Sequence, residues 1–288
     1  MSVMTADLQG SAASRPEFKT IAAPADGYTR IRMTIAYDGS KFHGMAENAN
    51  VRTVVGDIRA ALEPVVGHPL QIAMAGRTDA GVHAWGQVIS FDVKTDGVDE
   101  QRCSPEYLAR AINRQCVPEI VVRDAAIAPN DFDARFSARS RRYRYTVLHR
   151  NVPDPFLAAT SWWVPEPLDI HALRLGCDAL YGSHDFSSFC RRPKTDAEVS
   201  LIRRVTDANW VEGEDGLLRF EIEASSFCHQ MVRSIVGTLV EMGRGRRRPG
   251  EMAAIIRAQD RSLVPRLAPP QGLCLWEVTY DTPADSQK

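Results

Sequence analysis

The sequence predicts a mixed α+β fold of two ferredoxin-like α/β sandwich domains joined near Phe136. Three observations carry that expectation. The first half orders its predicted elements β-α-β-β-α-β, the split βαβ unit. The second half shows a similar succession of strands and helices, although the two halves share no repeat at the level of residues. The chain has 288 residues, 44% hydrophobic and 25% charged, enough to build two moderate cores.

In chain order, residues 1–27 are rich in Ala and Ser without the apolar run of a signal peptide, and read as a flexible tail. The first domain is expected over 28–135. Tyr28 to Tyr37 alternates, with Ile31, Met33 and Ile35 on one face, and Asp38-Gly39-Ser40 supplies turn chemistry at its end. Thr53 is an N-cap for a helix to about Val66, whose apolar face is Val54, Ile58, Ala61, Leu62 and Val65. Short strands follow at Leu70–Ala75 and Gln87–Val93, on either side of a glycine-bounded loop. Ser104-Pro105-Glu106 opens a second helix, with proline at its first position, and Glu119–Ile127 closes the unit as a strand.

The second domain is expected over 136–282, with a short tail at 283–288. Arg142–His149 alternates as a strand, and Asp169 starts a helix to Tyr181 that Gly182 ends. Val205–Val211 and Leu217–Ala224 flank Gly213–Gly216 as a hairpin. A long helix is predicted over Phe227–Met242, a shorter one over Glu251–Ala258, and a last strand over Gly272–Tyr280.

Composition removes several classes of function. No run of about 18 apolar residues exists, so no membrane-spanning helix is expected. The six cysteines are scattered without a C-x-x-C, which signals neither a zinc site nor a disulfide framework and suits a reducing cytosol. Net charge is −1, yet six arginines and no acid fall between Arg135 and Arg150. Arg191-Arg192 with Lys194, Arg203-Arg204, and Arg244 with Arg246-Arg247-Arg248 form further clusters. Local patches of this kind can bind a phosphate backbone on a neutral protein. The expectation is that Arg135–Arg144 and Arg244–Arg248 line one basic cleft.

Chemistry concentrates in two stretches. Gly76-Arg77-Thr78-Asp79-Ala80-Gly81-Val82-His83-Ala84 places a cation and a carboxylate two residues apart at a strand exit, between glycines that permit a sharp turn. On residue types alone the loop reads equally as a surface turn with a solvated Arg–Asp pair. In the predicted helix 227–242, apolar residues cover most of the circumference. His229, Arg233, Gly237 and Glu241 form its polar strip. A buried guanidinium needs a carboxylate or phosphate partner, and Glu241 lies two turns from Arg233, too far to serve, so Arg233 is expected to reach another element.

The string Gly76–Ala84 resembles the signature of the TruA family of tRNA pseudouridine synthases, and similar blocks extend the likeness from Tyr28 to Asp281. The resemblance implies one continuous sheet across both domains with a central basic RNA-binding cleft. It implies a homodimer acting on tRNA, at uridines 38, 39 and 40 of the anticodon stem-loop, with no cofactor and no metal. By the same resemblance Asp79 is the nucleophile and Arg77 accompanies the flipped nucleotide. Arg233, in His229-Gln230-Met231-Val232-Arg233, pairs with Asp79. Tyr143 packs on the base, flanked by Arg141, Arg142 and Arg144 as substrate-binding cations, and Leu273 floors the uracil pocket. The early block Asp38–Gly44 fits the family, but Met45-Ala46-Glu47 departs from it, a change expected at the edge of the cleft.

Overall fold

The computed structural model describes residues 22–192, 199–264 and 266–281. Most of both expected tails, and Lys194, lie outside these residues. Ten strands form one sheet in the order β4-β1-β3-β10-β5-β9-β8-β7, with the short β2 on β3 and β6 on β5. The expected continuous sheet is therefore present.

Its first half is built from β1 (Tyr28–Tyr37), α1 (Val54–Val66), β2 (Ala73–Met74), β3 (His83–Lys94), α2 (Pro105–Cys116) and β4 (Ile120–Ile127). Each helix starts where its cap residue dictates. Thr53 accepts the Gly56 N–H, and Ser104 accepts the Tyr107 N–H with Pro105 at the first turn. Alternation in β1 puts Ile31, Met33 and Ile35 into the core with Ile58 and Leu62 of α1 and Leu108 and Ile112 of α2.

The second half comprises β5 (Ala138–Leu148), β6 (Trp162–Trp163), α3 (Ile170–Cys177), β7 (Gly182–Asp185), β8 (Ile202–Glu212), β9 (Leu217–Ala224), α4 (Met231–Gly243), α5 (Glu251–Ala258) and β10 (Leu273–Tyr280). Tyr145 and Val147 of β5 join Ile235, Leu239 and Met242 of α4 in the same core cluster as the first half.

The halves meet where β10 runs parallel to the start of β3, pairing Cys274 with His83 and Leu275 with Ala84. β2 takes the far end of the same edge, at Ser90 and Ile89. That division explains why the strand expected at Leu70–Ala75 shrinks to two residues. Between the two contacts the buried Gln87 side chain stands in for a ladder, accepting the Gly76 N–H (3.2 Å) and donating to the Gly76 carbonyl (2.6 Å).

The long helix also starts later than expected, at Met231 rather than Phe227. Gln230 adopts a left-handed backbone (φ 67°), which a continuing helix does not allow. Phe227, Cys228 and His229 therefore belong to a connecting segment. Cys228 comes to lie beside Cys190, 38 residues earlier in the chain, with Cα atoms 5.7 Å apart.

Candidate active site

The loop after β2 is held from several sides. Thr78 Oγ1 lies 2.7 Å from the buried Tyr37 hydroxyl, and the Thr78 carbonyl accepts the Met45 N–H (3.2 Å). Val82 N–H donates back to the Asp79 carbonyl (3.2 Å), and Gly81 N–H to Phe42 (3.3 Å). Gly44 has φ 107°, and a Cβ there would come 2.9 Å from the Thr78 carbonyl oxygen, so glycine is required on both counts. Met45 is fully buried directly behind the loop. The departure at Met45-Ala46-Glu47 thus reaches the support of the loop rather than only the cleft edge, while Glu47 pairs outward with Arg59 (2.7 Å).

Asp79 is held at both oxygens by the second half of the chain. Arg233 Nη1 is 3.0 Å from Oδ2, and His229 Nε2 is 3.3 Å from Oδ1. The Arg233 side chain is 12% exposed and that of Asp79 27%. Arg233 Nε donates to the Ala268 carbonyl (2.8 Å), and Ala268 N–H returns to the Arg233 carbonyl (3.1 Å). This close approach depends on Gly237 one turn on, where a Cβ would sit 2.5 Å from the Arg266 carbonyl oxygen. The guanidinium is thereby aimed by the backbone before it meets the carboxylate.

Tyr143 points to the same side of the sheet. Its ring meets Phe227 edge-on at 5.0 Å between centroids, and its hydroxyl lies 3.5 Å from where a Gly76 Cβ would be. That hydroxyl makes no hydrogen bond among the described residues. Burial raises its pKa, and the Asp79 charge adds to the rise. Leu273 is buried at the start of β10, opposite Tyr145. Arg77 is exposed and has no hydrogen-bond or ion-pair partner among the described residues. An oriented carboxylate, a ring beside it and a free cation two residues away can together attack and orient a planar base.

A sequence model of a family described as tRNA pseudouridine synthase matches residues 33–137 and 177–281, most of the chain and part of each half. The chain belongs to that family. Its members isomerise uridine to pseudouridine. Among relatives named tRNA pseudouridine synthase A, one from Leifsonia xyli subsp. xyli (strain CTCB07) is 38% identical over 275 residues, covering 90% of this chain and 94% of the relative. One from Geobacillus sp. (strain WCH70) is 40% identical over 253 residues, covering 88% and 98%. An H/ACA RNP structure with a substrate RNA containing 2′-deoxyuridine overlaps 73% of this chain and 44% of its own at TM-score 0.29 and 12% identity, too loosely to argue from.

Within this pseudouridine synthase site, the three arginines around Tyr143 do not serve as the sequence suggests. Strand alternation sends Arg142 and Arg144 to the face opposite Tyr143. There Arg142 meets Asp207 (3.1 Å), Glu221 (3.5 Å) and Glu223 (2.5 Å), while Arg144 meets Glu221 (2.6 Å) and stacks on Trp276, 3.6 Å from the ring centroid. Arg141 shares the face of Tyr143, but all five of its N–H donors are occupied by carbonyls. Nε and Nη2 donate to Ala75, Nη2 also to Arg135, and Nη1 to Ala138 and Ser225. It fastens the strand before the glycine-bounded loop to β5, and its donors are fully engaged.

Several other arginines, in and beside the expected cleft clusters, are also engaged. Arg139 pairs with Asp281, and Arg150 with Asp154 (2.8 Å). Arg244, 5% exposed, binds Glu166 (2.8 Å) and Glu241 (3.0 Å). Arg246 and Arg266 converge on Glu241 as well, and Arg247 donates to the Leu263 carbonyl (2.7 Å). Desolvation would raise the Glu241 pKa, but these arginines outweigh it and hold the carboxyl below its usual range. Arg139, Arg142, Arg144, Arg244 and Arg246 of the expected cleft lining are thus held in ion pairs and Arg141 and Arg247 by carbonyls, while Arg135 and Arg248 stay exposed.

Two site residues escaped the sequence reading. His229 was placed on a helix with no partner, and Gln87 was only a strand residue. The offset of four between His229 and Arg233 was the available signal for His229, because both contact the same carboxylate.

Proposed function

We propose that Asp79 is the nucleophile of a cofactor-independent isomerisation of uridine in the anticodon stem-loop of tRNA, at positions 38, 39 and 40. The observation that carries this reading is the carboxylate held between Arg233 and His229 beside the Tyr143 ring. The reaction breaks the bond from uracil N1 to ribose C1′ and forms one from C5 to C1′. C5 gives up its proton and N1 gains one, so the change is redox-neutral and calls for no group donor or electron carrier. The neighbouring guanidinium fixes the direction in which the carboxylate presents its oxygens.

A uridine in a stem reaches Asp79 only when it leaves the stack. Exposed, unpaired Arg77 is suited to occupy the space it leaves, and Tyr143 to face the extruded ring, with Leu273 beneath. A homodimer with tRNA across both subunits, and a cytoplasmic location, complete the reading and rest on the family resemblance. The test is to incubate unmodified tRNA transcripts with the protein and map pseudouridine. Asp79→Asn should form none while binding tRNA within a few-fold of wild type. Turnover by that variant near the wild-type rate would remove Asp79 from the role.

A further inference from the structure

A chain of net charge −1 needs accessible cations to hold a polyanion, and many of the arginines in its two largest clusters are paired internally with carboxylates. We propose that a cavity of about 460 Å³ beside the start of α4 is a phosphodiester-binding subsite for the RNA strand carrying the reacting uridine, an assignment that rests on the tRNA function proposed above. Its lining includes Arg191, Arg192, Arg261, Gln230, Gln259 and Asp260.

The charges favour an anion. Arg191 and Arg192 are exposed, and their side chains make no hydrogen bond or ion pair among the described residues. Arg261 is fixed by donating to the Val264 carbonyl (2.6 Å). The single carboxylate, Asp260, already accepts the Ser262 N–H (2.8 Å). Two free guanidinium forks thus meet little opposing charge, and such forks match the paired oxygens of a phosphodiester.

The position links the cavity to the chemistry. Arg191 N–H donates to the His229 carbonyl (3.0 Å), and the His229 ring lies 3.3 Å from Asp79. A strand whose base reaches Asp79 therefore passes its backbone across this rim. The cavity is an open groove, suited to a continuous strand rather than an enclosed small molecule.

The test compares Arg191→Glu with Arg192→Glu against a control of equal charge change, Arg110→Glu with Arg114→Glu on the exposed side of α2. Affinity for an unmodified tRNA transcript is measured across salt concentrations, beside single-turnover rates at saturating enzyme. Losing two phosphate contacts should flatten the log–log salt slope by about 1.4–1.8 and weaken binding by at least roughly tenfold. The rate at saturation should stay within about twofold, because phosphate contacts position the strand without reacting. The control should keep the wild-type slope. A wild-type slope in the Arg191/Arg192 variant, an equal loss in the control, or a loss confined to saturated turnover would overturn the subsite. Failure of the wild-type protein to form pseudouridine would instead sink the functional reading, and the binding data would still judge the cavity.

Discussion

Replacing Arg233 with alanine removes the cation at Asp79 Oδ2 and the bond from Nε to Ala268 together. Orphaning one partner of a fully buried pair costs about 3–5 kcal/mol. Here the carboxylate keeps His229 at its other oxygen and is 27% exposed, so water can replace part of what is lost. Hydrogen bonds to charged groups run at about 1.5–3 kcal/mol each, and discounting two of them for that solvent leaves roughly 2–3 kcal/mol. The melting temperature should fall by about 4–12 °C on the scale for domains of somewhat smaller size. Turnover should fall further, since each ~1.4 kcal/mol lost in the transition state is tenfold in rate. Arg233→Lys is the informative companion: an ammonium retains charge but cannot span the carboxylate and Ala268 with one planar fork. It should recover part of the stability and little of the rate. Thermal unfolding and single-turnover pseudouridine formation measure the two effects. Wild-type values of both in Arg233→Ala would show that the ion pair neither supports the fold nor orients Asp79 for reaction.

Two further outcomes follow from the same geometry. Tyr143→Phe should remain active if the ring acts by facing the base, while Tyr143→Ala should fail; equal loss in both, read as single-turnover rate, would assign the work to the hydroxyl. Arg141→Met should destabilise the protein by about 2–4 kcal/mol, because it leaves several partly or fully buried carbonyls without donors, and Arg141→Lys should not restore it with only three N–H groups; an unchanged unfolding midpoint in Arg141→Met would refute that structural role.

The sequence made the helices and the glycine-bounded loop legible because their causes are local. Thr53, Ser104 and Asp169 cap helices with their own side chains, and each cap lies where the helix begins. Arg233 was legible by elimination, since a guanidinium on an apolar helix has to reach elsewhere. The arginines of β5 were not, because their fate depends on which strand lies beside them. Arg142 and Arg144 look cationic in a local window, yet the neighbouring β9 brings Glu221 and Glu223 under them. Arg141, one residue away, instead meets a row of carbonyls supplied by segments up to 84 residues distant. Residue type announced charge, and only register decided whether the charge was free.

That distinction also explains how the site is assembled. Asp79, the proposed nucleophile, comes from the first half of the chain, whereas Arg233, His229, Tyr143 and Leu273 come from the second. The halves are joined edge to edge by only two residue pairs between β3 and β10. Such a short seam is weak on its own, and the Arg141 and Arg233 contacts cross between the halves within the same region. The residues that orient Asp79 therefore also help fasten the loop that carries it. Stability and chemistry are coupled at this seam, so substitutions there should change unfolding and turnover together, whereas reversal of Arg191 and Arg192 on the surface should leave both unfolding and saturated turnover in place.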